Sequence, residues 1–589
     1  MSQSRWRSLL PSLFTLVLLF WLGFSITVLS AQRPQGLFLT YPPNNHQTGS
    51  DRIFLIGSAP PTGAVTVNGQ AIKRNAAGNF APSFPLQLGE NRFTLQYGQQ
   101  QINLLVTRLD PRSQTPTDLA FGQDSLIPPA DVAHLPNEWV CFAAIAPSKA
   151  DVTVQLANQR INLAPEVAAT ELPPNSAVLT AQEQPATAAS GYYRGCTRFM
   201  QPGDLGQPEY RLTFNNKTLR QTAPGRVKIL APEDLTVAEV TADVAIARTG
   251  PSTDYSRLTP LPKGVKAAIT GYEGDWIRLD YGAWIRKSEA MIRAATVPPT
   301  TTIRSARSRR TGNWTEIVFP LQVPVPISIQ QASDRLMLTL HNTTAQTDTI
   351  RMDDDPLIQR LDWQQTQAGQ VQYTFQMKSK QQWGYRVRYE GSSLVLRIRQ
   401  PPQAVKDAKI LLDAGHGGPE DLGARGPTGY PEKDVTLIVS KLVRDELVQK
   451  GITVVMTRET DTDVGLGDRV ALIEKEQPTL ALSLHYNALP DSGDAENTQG
   501  VSAFWYHPQA QDFAVFLHNH LVRTLNRSSY GVYWNNLALT RPTAAPSVLL
   551  EMGFMIHPDE FEWIVNPAEQ KRLAREIAEA IALWLEARI

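Results

Sequence analysis

The sequence predicts a multidomain protein in which several all-β modules precede a C-terminal α/β domain. A chain of 589 residues exceeds one hydrophobic core, and usual domain sizes give roughly three to five domains. Short β-type runs separated by turn residues fill most of positions 36–400. From residue 408, strand-like runs alternate with amphipathic helical segments, which predicts a mostly parallel or mixed sheet flanked by helices. The 56 basic and 56 acidic residues leave no net charge, so composition indicates no nucleic-acid partner.

Residues 1–31 are predicted to direct export. Arg5 and Arg7 precede an uncharged apolar run at 13–29, which is followed by polar residues. This run is slightly long for a signal peptide and just long enough to span a bilayer, so a cleaved signal and a retained inner-membrane anchor both fit. In either case we expect the rest of the chain in the periplasm or cell wall, with membrane contact only through this segment.

The chain contains two cysteines, Cys141 and Cys196. In an exported protein they could form one disulfide, and the alternative is a pair of inert buried thiols. Metal binding by them is not expected, because they form no CxxC pair and only His134 lies nearby. A tetrahedral site would need further ligands.

The first two predicted modules cover residues 36–109 and 131–223. In the first, β-type runs such as IFLIG and RFTLQYG are separated by Asn-Gly and Gly-Asn turns, which is typical of a small antiparallel sandwich. Its G-x-F and L-x-x-G-x-N elements resemble the Ig-like modules of exported bacterial enzymes. A polar, Pro-rich linker is expected at 110–129, and the second module is predicted only to be another β domain.

Residues 227–293 read as a small barrel of short strands. Residues 247–255 and the tryptophans Trp276 and Trp284 resemble the bacterial SH3 domain, which implies an aromatic groove for cell-wall peptide. The alternative is that Tyr255 and the tryptophans form the barrel core.

Residues 303–400 are again β-rich, and their ending around L-V-L-R-I-R resembles the AMIN domain. That resemblance implies contacts with the wall, or with envelope or division proteins, and the alternative is a β-sandwich spacer.

The domain at 408–589 carries a candidate metal site. His416 follows the apolar run KILLDAG and opens a Gly-rich loop, where glycines permit close backbone approach; a lone histidine there would more often be structural. Glu432 stands beside Pro431 at the start of a predicted helix, where the helix dipole favours a carboxylate. His485 ends another predicted strand. Two imidazoles and one carboxylate are a ligand set of catalytic zinc sites.

Glu551 is a candidate general base. It follows the apolar run SVLL and precedes Met552-Gly-Phe, and apolar surroundings raise the proton affinity of a carboxylate toward the range a general base needs. The alternative, a solvent-exposed glutamate, fits these flanks poorly.

These elements, in this order, resemble the zinc N-acetylmuramoyl-L-alanine amidases of the Amidase_3 family. The shared motifs are D-x-G-H-G-G, E-K-D from Glu432, T-R-x-x-D, L-x-x-R, S-x-H-x-N and E-x-G-F. The resemblance implies Zn²⁺ held by His416, Glu432 and His485, with Glu551 as catalytic acid and base. The implied substrate is peptidoglycan, cut at the amide between N-acetylmuramic acid and L-alanine by zinc-activated water, while the N-terminal modules localise the enzyme to the wall.

Three further residues are candidate substrate contacts: Asn487 and Arg469, which belong to the motifs, and His507, which ends a predicted strand. We expect Arg469 to anchor a loop or carboxylate. After Phe554 the sequence departs from the family pattern, with Met555-Ile556-His557 where a small residue and then Asn are common.

The loop at 488–499 is short, where division-associated members of the family carry an inhibitory helix. We therefore expect no self-inhibition and an active truncated catalytic domain. Two other functions remain open: a zinc peptidase that cuts cross-links, and a wall-binding protein without activity, which would require loss of a ligand or of the base.

Overall fold

The computed structural model describes residues 35–110, 115–166, 170–171, 186–187, 191–231, 233–352 and 354–589. The predicted export signal or anchor at 1–31 lies outside the described residues. Among those described, no helix is both long and apolar enough to cross a membrane.

The first module is an antiparallel β-sandwich, which we call the N-terminal sandwich (36–109). Its core contains Ile53, Leu55, Phe80 and Leu95. Strands β2-β10-β9-β5-β6 form one sheet, in which only the β2–β10 pair is parallel, and β1-β4-β7 form another. Its strands are β1 Phe38–Tyr41, β2 His46–Thr48, β3 Arg52–Phe54, β4 Ile56–Ser58, β5 Val65–Val67, β6 Gln70–Ala71, β7 Asn79–Phe80, β8 Ser83–Pro85, β9 Gly89–Tyr97 and β10 Gln100–Arg108.

The second module contains a sheet of order β12-β17-β14-β13-β19-β20. Cys141 and Cys196 face each other across β12 and β17 and are joined by a disulfide. Phe121 and Leu126, from the expected linker, are buried in this module's core. The strands are β11 Val132–His134, β12 Trp139–Ile145, β13 Asp151–Leu156, β14 Gln159–Pro165, β15 Thr170–Glu171, β16 Ala186–Thr187, β17 Tyr192–Arg198, β18 Gly203–Gly206, β19 Glu209–Phe214, β20 Lys217–Thr222 and β21 Val227–Ile229.

The third module shares a sheet with the second, because β11 pairs with both β21 and β25. Trp276 is buried, whereas Tyr255 is exposed, so these two aromatic residues do not form one core. The strands are β22 Thr236–Val240, β23 Val244–Ala245, β24 Leu261–Pro262, β25 Lys266–Glu273, β26 Trp276–Leu279, β27 Trp284–Arg286 and β28 Ala290–Ala294, with a short 3-10 helix at Lys287–Glu289.

The fourth module, predicted at 303–400, begins with β29 at Thr301 and packs two sheets around one apolar core. The sheet β33-β29-β30-β37-β36 has one parallel pair, β29 and β33, and the sheet β31-β32-β35-β34 is antiparallel. Its strands are β29 Thr301–Thr311, β30 Trp314–Phe319, β31 Ile327–Gln331, β32 Arg335–His341, β33 Thr343–Arg351, β34 Ile358–Gln367, β35 Gln370–Met377, β36 Tyr385–Glu390 and β37 Ser393–Arg399.

The C-terminal domain (408–589) is α/β, as expected. Its sheet is mixed, with order β39-β38-β40-β43-β41-β42, and β41 is antiparallel to β43. The elements are β38 Lys409–Ala414, α1 Glu432–Gln449, β39 Thr453–Met456, α2 Leu466–Glu476, β40 Leu480–Asn487, β41 Val501–Trp505, α3 Pro508–Leu525, β42 Ser529–Trp534, β43 Ser547–Phe554, α4 Pro558–Ile564 and α5 Pro567–Glu586, after a 3-10 helix at Val405–Asp407.

The amphipathic helical segments that the sequence predicts at 432–450, 466–477, 510–525 and 567–587 correspond to α1, α2, α3 and α5, with every boundary within two residues. The sequence did not predict β42 or α4. Strands β38, β40 and β43 run parallel. They therefore end at one edge of the sheet, the carboxyl edge, and begin at the other, the amino edge.

Candidate active site

The carboxyl edge brings together residues that lie far apart in the sequence. His416 follows the end of β38, and His485 lies near the end of β40. Glu551, in β43, is the register partner of His485. Glu432, the first residue of α1, completes the group. This edge is where open α/β sheets place their ligands.

His416, Glu432 and His485 could hold a metal ion. One potential ligand atom from each residue lies within 4.8 Å of the other two. His416 Nε2 is 3.2 Å from Glu432 Oε2, and His485 Nδ1 is 3.1 Å from Glu432 Oε1. The donor set of two imidazoles and a carboxylate suits a borderline divalent cation and leaves a fourth tetrahedral position for water.

The glycines around His416 permit this approach. A Cβ on Gly415 would lie 2.4 Å from the His485 ring, and one on Gly423 would lie 2.5 Å from Glu432 Oε2. Both contacts are too short for any side chain, so only glycine fits. His416 itself has φ of 59°, a conformation that non-glycine residues adopt at a cost and often at functional sites.

Glu432 is held as a carboxylate. Burial opposes its ionisation, but hydrogen bonds with His416 and His485 outweigh this and hold the pKa of Glu432 below its usual value. The backbone N–H groups of Ala424 and Tyr486 also donate to it, at 2.8 and 2.9 Å. The helix N-terminus further favours its negative charge.

A residue that sequence reasoning missed, Asp421, contacts His416. Its Oδ1 lies 2.6 Å from His416 Nδ1, whereas Glu432 contacts the other ring nitrogen, Nε2. Burial opposes protonation of His416, but Glu432 and Asp421 raise its pKa to about 9. A carboxylate on the second ring nitrogen fixes the orientation of a metal-ligating histidine. The only signal in the sequence was an aspartate five residues after the histidine.

Glu551 lies beside the three candidate ligands, and one of its carboxylate oxygens has no hydrogen-bond partner among the described residues. Burial raises the pKa of its carboxyl group, although His485 opposes this effect. That oxygen is Oε2, which is buried. A buried carboxylate with a free oxygen and increased proton affinity matches the requirements of a general base.

Below the site, Arg469 and Asp413 form a buried ion pair. Arg469 Nη1 donates to Asp413 Oδ1 at 2.6 Å, and the two side chains are 3% and 1% exposed. Arg469 Nη2 also donates to the carbonyl of His416 at 2.8 Å. Arg469 is therefore buried beneath the loop, where it contacts a carboxylate and the loop backbone, in line with the expected anchoring role. Its candidate role as a substrate contact stays a prediction.

Arg458, from the T-R-x-x-D motif, reinforces the same loop. It donates to the carbonyls of Ala414, Gly415 and Lys433 at 2.7–3.0 Å. It thereby connects the end of β38 with the first turn of α1, which carries Glu432.

The structure separates the other two expected substrate contacts. Asn487 lies at the carboxyl edge, where β40 pairs it with Phe554. His507 does not reach this edge, because β41 is antiparallel to β43: Ser502 pairs with Glu551, but Trp505 pairs with Val548. His507 is at the amino edge, with Nε2 2.8 Å from the carbonyl of Arg541, which corrects the expectation that its strand ends near the site.

Comparison with known proteins gives consistent matches. A profile described as N-acetylmuramoyl-L-alanine amidase matches residues 410–583. The chain is 34% identical over 194 residues to the germination-specific N-acetylmuramoyl-L-alanine amidase of Bacillus subtilis strain 168, covering 29% of this chain and 77% of that protein. It is 33% identical over 180 residues to the probable cell wall amidase LytH of Staphylococcus aureus, covering 30% of this chain and 58% of that one.

Among solved structures, the amidase AmiC2 of Nostoc punctiforme matches with 28% identity and a TM-score of 0.29, covering 31% of this chain and 99% of that one. All of these matches cover about a third of the chain.

Proposed function

Since this chain belongs to the N-acetylmuramoyl-L-alanine amidase family, we propose that it is a zinc-dependent peptidoglycan hydrolase. The scissile bond is the amide between the lactyl group of N-acetylmuramic acid and L-alanine. Water is the second substrate, and the products are the free muramic acid carboxylate and a peptide with a free L-alanine amine.

The observation that carries this proposal is the combination of three candidate ligands and one unpaired base. His416, Glu432 and His485 offer ligand atoms within 4.8 Å of one another, and Glu551 stands in register with His485. We propose the first three as zinc ligands. A zinc ion bound there would supply Lewis-acid polarisation and would lower the pKa of water to about 7.

Glu551 would move the proton in this reaction. Its buried Oε2 is free to accept a proton from the attacking water, and burial makes that protonated form more stable than in solvent. The same group would then return the proton to the leaving amine, so that the amine departs neutral. Asp421 and Arg469 would hold the His416 ring and backbone in place during this exchange.

The N-terminal modules would bring this site to the wall. We propose Ig-like, SH3-like and AMIN-like identities for residues 36–109, 227–293 and 303–400, and the division at 131–223 stays a prediction. The cell-wall relatives support an exported protein acting in the periplasm or wall. Envelope or division proteins are proposed partners of the AMIN-like segment.

Mass spectrometry of peptidoglycan digested by the purified chain tests this function. Free stem peptides with an intact L-alanine amine are expected, and a chelator should stop their release until Zn²⁺ is restored. Cut cross-links with the L-alanine amide intact would instead identify a peptidase, and no product would indicate a wall-binding protein.

A further inference from the structure

The N-terminal sandwich contacts the C-terminal domain next to the candidate active site, and the strand region 52–58 makes the main apolar contact. Ile53 and Leu55 point into the sandwich core. Phe54 and Ile56, which alternate with them, are each 2% exposed. They belong to a separate cluster whose C-terminal-domain members are Ala495, Phe554 and Ile556. Because successive side chains point to opposite faces of a strand, this region connects the two domains.

A polar contact holds the loop that follows β40. The Tyr41 hydroxyl donates a hydrogen bond to Asp491 Oδ1, and His46 Nε2 lies 2.9 Å from Asp491 Oδ2. The His46 and Asp491 side chains are 19% and 18% exposed. Asp491 comes six residues after His485, in the loop 488–499, which forms turns and contains no helix. Lys73 forms a further ion pair with Glu496 in that loop, at 3.2 Å.

A third contact reaches the loop that joins His416 to Glu432. Thr40 Oγ1 donates to the carbonyl of Pro427 at 3.0 Å. The Phe38 ring lies 3.2 Å from where a Cβ on Gly429 would stand. The sandwich thus touches a segment next to each of the four site residues.

We propose that the N-terminal sandwich is a positioning element of the active site, which it serves by fixing the loops adjacent to Glu551, His485 and Glu432. This proposal rests on the proposed amidase function. Phe554 and Ile556 lie three and five residues after Glu551. If their packing against the sandwich is lost, the end of β43, which carries Glu551, becomes free to move. Ile556 belongs to the three residues that depart from the family pattern, and here it forms part of the apolar contact.

The proposal replaces the expectation that a truncated catalytic domain keeps most of its activity. Without the sandwich, Phe554 and Ile556 would be exposed to water, and Asp491 would lose its hydrogen-bond partners Tyr41, His46 and Thr48. The segments after Glu551 and His485 would then be free to leave their catalytic arrangement, and misplacement of about 1 Å can cost about 100-fold in rate.

The test uses the full chain with Phe54→Asp and Ile56→Asp together, so the C-terminal domain keeps its sequence. Hydrogen exchange should accelerate in segments 489–496 and 553–557. The kcat for peptidoglycan should fall about tenfold or more, with KM changed by less than about threefold, since the loops position reacting groups. Leu88→Asp, at a sandwich residue that is 54% exposed, is the matched control and should change neither quantity.

Two further variants separate positioning from misfolding. Phe54→Leu with Ile56→Val keeps an apolar contact and should restore most of kcat. Asp491→Ala removes the polar contact without placing a charge in the apolar cluster, and should accelerate exchange in segment 489–496 and lower kcat.

Unchanged or increased kcat in the undocked Phe54→Asp/Ile56→Asp chain would overturn the proposal, because the sandwich would then be a spacer or a lid. Unchanged exchange in both segments would overturn it as well. If the unsubstituted chain releases no stem peptides, the proposed function fails, while the exchange experiment still decides whether the sandwich fixes these loops.

Discussion

The N-terminal sandwich and the module at 303–400 contact opposite edges of the C-terminal sheet. The sandwich meets the carboxyl edge, at Phe554 and Asp491. The module at 303–400 meets the amino edge, where Arg399 donates to the carbonyl of Pro478 and the Tyr385 N–H donates to the carbonyl of Thr543 at 2.8 Å. Pro478 lies two residues before the start of β40, and Thr543 lies four residues before the start of β43.

We expect substitutions at the two edges to affect different properties, activity at the carboxyl edge and stability at the amino edge. Residues at the carboxyl edge of such sheets contact ligands, so a change there should appear first in kcat. At the amino edge, Trp383 packs on Trp584 with ring centroids 5.4 Å apart, within the core of the C-terminal domain. A change there should appear in Tm while kcat is kept.

The largest expected effect comes from replacing the glutamate at the carboxyl edge. Glu551→Gln removes the proton acceptor but keeps the shape of the side chain, so kcat should fall by about 10²- to 10⁴-fold. Zinc content, measured by metal analysis, should stay at the level of the unsubstituted protein, because Glu551 is not among the proposed ligands.

Glu474, at the amino edge, provides the matched control. Burial raises the pKa of its carboxyl group, as for Glu551, and Arg386 lies 3.2 Å away. Glu474→Gln should change kcat by less than about twofold, the range of a substitution far from the site. Equal losses of kcat in Glu551→Gln and Glu474→Gln would show that the carboxyl edge is no more important for activity than the amino edge.

Two buried arginines give the second prediction. Arg469→Ala would leave Asp413 buried without its cationic partner, which should cost about 3–5 kcal/mol in stability and lower kcat by releasing the carbonyl of His416. Arg399→Ala would leave the carbonyls of Gln477 and Pro478 without their donor, at a cost of about 1–3 kcal/mol.

Thermal unfolding and steady-state kinetics on the same two proteins check this pair. The expected result is a lower Tm for both variants and reduced kcat for Arg469→Ala alone, measured well below either Tm. A normal kcat in Arg469→Ala would remove the arginine from the positioning of His416.

Sequence reasoning could predict the C-terminal domain because its signals are local. Apolar runs at 409–415 and 480–487 identified strands, and parallel strands bring their ends to one edge. The sequence alone therefore allowed His416, His485 and Glu551 to be placed at the same edge of the sheet. Glu432 was identified by the Pro beside it and by the helix that follows.

The remaining features depend on pairing and docking, which a sequence pattern does not encode. His507 was misplaced because strand direction is not visible in an apolar run, and β41 is antiparallel to β43. Phe54 and Ile56 read as ordinary strand residues, since burial on both faces of a strand depends on the domain packed against it. Asp421 was missed because a loop aspartate has no periodicity.

The smallest expected effect is a difference in acid sensitivity between the two edges. Burial opposes ionisation of Asp491, but hydrogen bonds from His46, Thr48 and Tyr41 hold its pKa below the usual value. Because the pKa of Asp491 is lowered in the folded protein, its ionised carboxylate stabilises docking at pH values above the unfolded-state pKa of about 4. This contribution is lost as the pH falls toward the pKa in the folded protein. Glu474 has a raised pKa, so acidification should not weaken its edge in the same way.

Hydrogen exchange as pH is lowered through about 4, corrected for the intrinsic pH dependence of exchange, checks this contrast. Segment 489–496 should lose protection, whereas segment 543–545 at the amino edge should keep it. Asp491→Asn should remove the acid response of segment 489–496, because the amide does not titrate. Parallel loss of protection at both edges would mean that acid acts on the whole fold, and that the Asp491 contact is not the acid-sensitive link between the sandwich and the site.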